Sequence, residues 1–178
     1  MQWQKPALYA AVFLTIVGIM VTVAITRSTG KGHIEAEIRI ARPAAEVFPW
    51  LIEPEKRMQW VDGLTQSSLD PAGPPHPGTS LSDVVESNGV TTEMRAIVRT
   101  YEPPRQLVTT TETPSFDQTS RCELSESAGT TTAHCVSDIK LHGWLARILA
   151  ANIQRAAQDK LLADLNRLKT KIEAAPKP

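Results

Sequence analysis

The chain has no surplus charge of either sign: 19 Lys and Arg stand against 19 Asp and Glu. Lys5, Arg27 and Lys31 lie in or beside the N-terminal stretch, ahead of the first acid at Glu35, so the remainder holds 16 bases against 19 acids. A phosphate backbone calls for a cationic face, so nucleic acid is excluded as a partner. Only two cysteines are present, Cys122 and Cys135, with no metal-type spacing. Missing too are G-x-S-x-G and H-E-x-x-H, and Ser28-Thr29-Gly30-Lys31-Gly32 lacks the spacing of a phosphate loop. The sequence therefore contains no catalytic constellation and calls for no cofactor and no metal. Four histidines, His33, His76, His134 and His142, are scattered, and strand alternation puts His134 on the face opposite both cysteines. Asp83, Glu86, Glu93, Glu112 and Glu123 show no acid/base pairing and suit the solvated face of an antiparallel sheet.

Long apolar runs are equally scarce, with one exception. Ala7 to Ile25 is uncharged, is flanked by Lys5-Pro6 and Thr26-Arg27, and carries Trp3 and Tyr9 near its start. Nineteen such residues suffice to cross a bilayer, whereas the apolar core of a cleaved signal peptide is shorter and ends in a small-residue site that is not evident here. The expected organisation is a transmembrane anchor over 1–27, a linker over 28–32, one domain over 33–174 and a tail over 175–178. Arg27, Lys31 and Arg39 after the span argue by positive-inside counting for a cytoplasmic domain. The cysteines lean the other way.

From His33 the chain alternates, with Ile34, Ala36, Ile38 and Ile40 on one side and Glu35, Glu37 and Arg39 on the other, which makes a half-exposed strand. Pro43 with Glu46 opens a short helix, with Pro49 only a mild interruption, and Glu53-Pro54-Glu55 opens a second that ends around Met58 to Trp60. Strands follow over Leu64 to Leu69, Thr79 to Ser87, Val90 to Tyr101 and Leu107 to Thr113, separated by a proline loop from Asp70 to Gly78, by Asn88-Gly89 and by Pro103-Pro104. A turn at Ala128-Gly129 would set Cys122 opposite Cys135, close enough for a disulfide. Two packed free thiols are the alternative. A bond would place the domain on the oxidising, extracytoplasmic side of the membrane.

The last stretch, His142 to Ala174, repeats Leu145, Leu149, Ile153, Ala157, Leu161, Leu165, Leu168 and Ile172 at helical spacing. Such a helix spans about 50 Å and needs one broad apolar partner. The expected fold class is α+β: a seven-stranded antiparallel sheet, two short helices after the first strand and a long C-terminal helix.

That order, with Ile38-Arg-Ile-Ala-Arg-Pro-Ala-Ala-Glu-Val-Phe48, Glu53-Pro-Glu-Lys-Arg-Met-Gln-Trp60, Pro77-Gly-Thr79, Tyr101-Glu-Pro-Pro-Arg-Gln-Leu107, Gly129-Thr130 and Leu165-Asn-Arg-Leu-Lys169, resembles the START-like (SRPBCC) superfamily in its polyketide cyclase/dehydrase-like branch. The resemblance implies a helix-grip fold with a cavity beneath the long helix that takes an apolar small molecule or lipid as partner; the apolar stretch from Ala7 to Ile25 would hold it next to the membrane. Two alternatives stand beside it: a cyclase- or aromatase-like enzyme on an apolar substrate, and an interaction module whose cavity side chains have closed. Inward strand positions read mostly as Val, Ile, Leu, Met, Ala and Thr, which favours binding over catalysis. Trp50, Trp60, Met94, Phe116, Trp144 and Ile148 are the expected cavity lining, with Leu161, Leu165 and Leu168 packed tightly on the sheet.

Overall fold

The computed structural model describes residues 30–87, 89–143 and 149–176. The apolar stretch 7–25 and two expected lining residues, Trp144 and Ile148, lie outside them. Among the described residues no helix is long and apolar enough to cross a membrane.

Strand β1 (Lys31–Ile40) begins two residues before the alternation becomes visible, because Lys31 and Gly32 already pair with Lys140 and Ile139. Three four-residue helices follow: α1 (Ala44–Val47), α2 (Pro49–Ile52) and α3 (Pro54–Arg57). The sequence suggests two. Pro49 has no N–H to offer the helix before it, so the first segment divides at Phe48. Then come β2 (Leu64–Asp70), β3 (Ser80–Ser87), β4 (Val90–Glu102), β5 (Gln106–Glu112), β6 (Phe116–Ser127) and β7 (Thr130–Leu141). They form one antiparallel sheet in the order β1-β7-β6-β5-β4-β3-β2, a meander closed by the first strand returning beside the last.

The β6–β7 hairpin turns at Ala128 and Gly129, with φ of 50° and 72°, so Cys122 pairs with Cys135 and Leu124 with Ala133. Both central residues take the left-handed conformation that this two-residue turn needs. An alanine is poorly suited to it. Ala128→Asn should therefore raise stability by about 0.5–1 kcal/mol, read as a higher midpoint in urea with an unchanged slope.

The long helix α4 (Ala150–Ala174) is shorter than the apolar repeat suggests. His142, just past β7, is tied beside the sheet by donating its N–H to the Ser115 carbonyl, and Gly143 turns the chain away at φ 77°. Along α4, Leu165, Leu168 and Ile172 are buried while Leu149 and Ile153 are exposed, so only the C-terminal half of the stripe is packed tightly. The core joins these residues to Ile40, Val47, Phe48, Ile52 and Val98.

Polar side chains of α4 serve the open edge of β1. Gln158 accepts from the Glu35 N–H and donates to its carbonyl, Gln154 donates to the His33 carbonyl, Lys169 donates to the Arg39 carbonyl and Glu173 accepts from the Ala41 N–H. An otherwise exposed row of strand donors and acceptors is thereby satisfied without another strand. Arg42, buried, donates to the Glu173 and Ala175 carbonyls at the end of α4, where the helix dipole favours a cation.

On the outer face, His33 lies 2.8 Å from Asp138 and 3.6 Å from Glu35, and His134 lies 2.6 Å from Glu35. Asp138 and then Glu35 raise the His33 imidazole above its ordinary 6.5, while His134 and then His33 hold Glu35 below its ordinary 4.5. The His33 contribution to stability is complete below 6.5 and is lost as pH rises through the folded-state value; that of Glu35 is complete above 4.5 and is lost as pH falls through its folded-state value. Both are present between those limits. A proton NMR titration should give His33 a midpoint above 6.5 that moves back towards 6.5 in Asp138→Asn.

Candidate functional site: a cavity between sheet and helix

Register places three cross-strand rows on the concave face of the sheet. One runs Gly32, Ile139, Gln118, Thr111, Ala96, Leu81; the next Ile34, Ser137, Ser120, Thr109, Val98; the third Ala36, Cys135, Cys122, Leu107, Tyr101. Where α4 is no longer packed tightly, it stands off from these rows and leaves a cavity of about 350 Å³. The floor is Ile34, Leu81, Leu107, Thr109, Gln118, Ser120, Cys122, Cys135, Ser137 and Ile139; the roof is Ala157, Lys160, Leu161 and Asp164; one wall is Leu51, Arg57, Trp60 and Val61.

That wall is held from both sides. Asp164, buried on α4, accepts from Lys160 at 2.8 Å, from Arg167 and from the Asp62 N–H at 3.1 Å. Lys160 also donates to the Asp62 carbonyl and Arg167 to the Trp60 carbonyl. The helix thus grips the 60–62 loop, and Trp60 is set further by its indole N–H on the Trp50 carbonyl at 2.8 Å. Gly63, at φ 73°, lets the loop lie against β3, where a Cβ would run into the Glu86 carbonyl. Towards the sheet, Arg57 donates to both oxygens of Asp83 at 2.8 Å, and the Ser67 hydroxyl donates to the same carboxylate at 2.7 Å.

On the floor, Gln118 Nε2 donates to Ser120 Oγ at 2.8 Å and to Ser137 Oγ at 3.3 Å, and the two hydroxyls are 2.8 Å apart. Cys122 and Cys135 are joined as a disulfide that forms part of the same floor.

Of the residues expected to line the cavity, Trp60 does so. Trp50 is partly buried against the core, and only its carbonyl reaches the site, through Trp60. Met94 pairs with Asp83 and so shares its face, but it sits farther out on β4 in a separate hollow with Ser67, Ser82 and Arg95. Phe116 pairs with Leu141 at the far end of β6, beyond the lining. Leu161 is partly buried against the core, as expected, and also forms part of the roof.

The larger correction concerns polarity. Inward positions read as apolar plus threonine, yet Gln118, Ser120 and Ser137 occupy the middle of the floor, with Arg57, Lys160 and Asp164 at its margin. The signal was available for three of them. Counting back by twos from Cys122 lands on Ser120 and Gln118, and counting on by two from Cys135 lands on Ser137.

A seven-stranded antiparallel sheet closed over one long helix, with a cavity between them, is a helix-grip domain. Residues 31–173 match the family model described as "Polyketide cyclase / dehydrase and lipid transport", and the chain belongs to that family. Its fold is shared by the di-domain ARO/CYC BexL of the BE-7585A biosynthetic pathway, with a TM-score of 0.66 and 18% identity over 98% of this chain and 61% of that one. The chain thus spans less than two thirds of BexL. A protein of Thermus thermophilus aligns with a TM-score of 0.69 and 13% identity over 82% of this chain and 99% of its own. A START superfamily protein from Mycobacterium smegmatis gives 0.64 and 15% over 79% and 97%. No curated protein matches the chain in sequence. Identities this low speak for the fold alone.

Proposed function

We propose that this chain binds an apolar small molecule or single-chain lipid in the cavity under α4, and that residues 7–25 hold it at a bilayer. The cavity carries the reading. At about 350 Å³ it lies at the lower end of the ~300–1,000 Å³ of ordinary ligand sites, and its lining is mainly Ile, Leu, Val, Trp and Ala. A closed interaction module would leave far less space. A diacyl lipid is too large to be enclosed.

The tether is short. The Leu141 N–H bonds the Gly30 carbonyl, so the chain joins the sheet five residues after Ile25, a reach of at most about 18 Å. With 7–25 spanning, the domain stays against the membrane surface and meets membrane-borne ligands at high effective concentration. The Cys122–Cys135 bond supports an extracytoplasmic domain, since disulfides persist on the oxidising side.

Purification of the full chain in mild detergent, followed by native mass spectrometry, tests the binding reading. A bound neutral or lipidic molecule at near-stoichiometric level is expected. An empty protein that also takes up nothing from a lipid and small-molecule panel would contradict it.

One observation favours a second reading, a cyclase-type enzyme. The Gln118–Ser120–Ser137 cluster puts polar groups on the cavity floor where they can orient an oxygenated intermediate, and two structural neighbours, BexL and StfQ, are described as ARO/CYC proteins. Turnover of an apolar polyketone that is lost in Ser120→Ala would support it.

A further inference from the structure

The hydrogen-bonding capacity of the cavity floor can be counted. Both amide hydrogens of Gln118 are used, one on Ser120 and one on Ser137. Of the two serine hydroxyl protons, one lies between the oxygens, 2.8 Å apart, and one is left over. Gln118 Oε1 has no donor among the described residues and is not buried out of reach. The cluster therefore leaves one O–H donor and one carbonyl acceptor at a cavity whose lining is mainly apolar and whose marginal charges are already paired.

The charges at the margin offer nothing comparable. Arg57 is matched by Asp83, Lys160 by Asp164, and Arg167 by Asp164 and Asp62, three cations against three anions. An ionised ligand would lose its hydration and find no unmatched partner.

Building on the ligand-binding reading, we infer that the cavity selects a neutral apolar molecule bearing a hydroxyl group, seated on Gln118, Ser120 and Ser137. The ligand O–H donates to Gln118 Oε1, and its oxygen accepts the remaining serine proton. One group of the ligand thus satisfies both vacant positions, which a hydrocarbon leaves unmet and a carboxylate meets with an uncompensated charge. A phenol or a compact alcohol fits; a fatty acid or a phospholipid does not.

The test uses the full chain in nanodiscs, with protein-free nanodiscs as reference, titrated calorimetrically with naphthalene, 2-naphthol and 2-naphthoate at neutral pH. 2-Naphthol should bind about tenfold more tightly than naphthalene, the worth of one well-made buried hydrogen bond, and 2-naphthoate more weakly than 2-naphthol by at least as much. In Ser120→Ala/Ser137→Ala and separately in Gln118→Leu, each checked for a native circular dichroism spectrum and cooperative melting, the 2-naphthol to naphthalene ratio should collapse towards one. Equal binding of the two in the wild type, preference for the carboxylate, or an undiminished ratio in both variants would overturn the inference while leaving ligand binding intact. Failure of all three probes to bind the wild type would instead overturn the binding reading, and this inference with it.

Discussion

Leu168→Ala should destabilise the domain by about 3–4 kcal/mol and lower its melting temperature by about 10 °C. Leu168 has no exposed surface, and its neighbours in the core include Ile40, Val47, Leu165 and Ile172. Removing three carbons from a site bounded by sheet and helix leaves a void that a rigid β-sheet cannot collapse to fill. Leu161, two turns earlier on the same face, is only partly buried against that core and borders the cavity. Leu161→Ala should therefore cost less than half as much. Chemical denaturation of the two variants side by side measures the contrast, and equal losses would mean that α4 packs evenly along its length.

Asp83→Ala should cost about 3 kcal/mol, because it strands the Arg57 guanidinium in a nearly enclosed site. The two side chains retain only 14% and 11% of their surface, and the carboxylate accepts from Arg57 through both oxygens as well as from Ser67. The loss should be mainly that of an unpaired buried cation. Arg57→Met combined with Asp83→Leu should then recover most of it, since a packed apolar pair needs no compensation. Urea titrations of the single and double variants decide this. A double variant as unstable as Asp83→Ala would show that the pair contributes mostly through direct attraction. Because Arg57 forms part of the cavity wall, the double variant also indicates whether that wall can be held by packing alone.

Much of this architecture is legible in the sequence because it rests on local periodicity. Alternation from Ile34 to Ile40, the strand breaks at Asn88-Gly89 and Pro103-Pro104, and the Ala128-Gly129 turn together specify the strands and the Cys122–Cys135 register. The helix boundary is less legible, since Leu149 and Ile153 continue the apolar stripe although both are exposed. A stripe records which face is apolar, not how far the partner surface extends.

The site was legible only in part. Trp60 lies on the cavity wall because its loop is gripped by Asp164, Lys160 and Arg167, three residues that in sequence look like an ordinary polar helix face. Met94 and Phe116 have the right face and the wrong distance along their strands. Parity determines the face of a sheet, whereas the location of the cavity depends on where the helix leaves the sheet. The serines are a different case: strand parity alone puts Ser120 and Ser137 on the inward face, but their significance emerges only when register sets Ser120 beside Ser137.

The central claim, that ligand occupies the space between α4 and the sheet, is tested most directly by filling that space. Ala157 lies in the roof, so Ala157→Phe places a ring over the floor without touching the tightly packed core. Measured by calorimetry on the full chain with 2-naphthol or the copurified ligand, the variant should keep a native circular dichroism spectrum and bind at least tenfold more weakly than the wild type. A folded Ala157→Phe protein that binds as tightly as the wild type would place the ligand elsewhere.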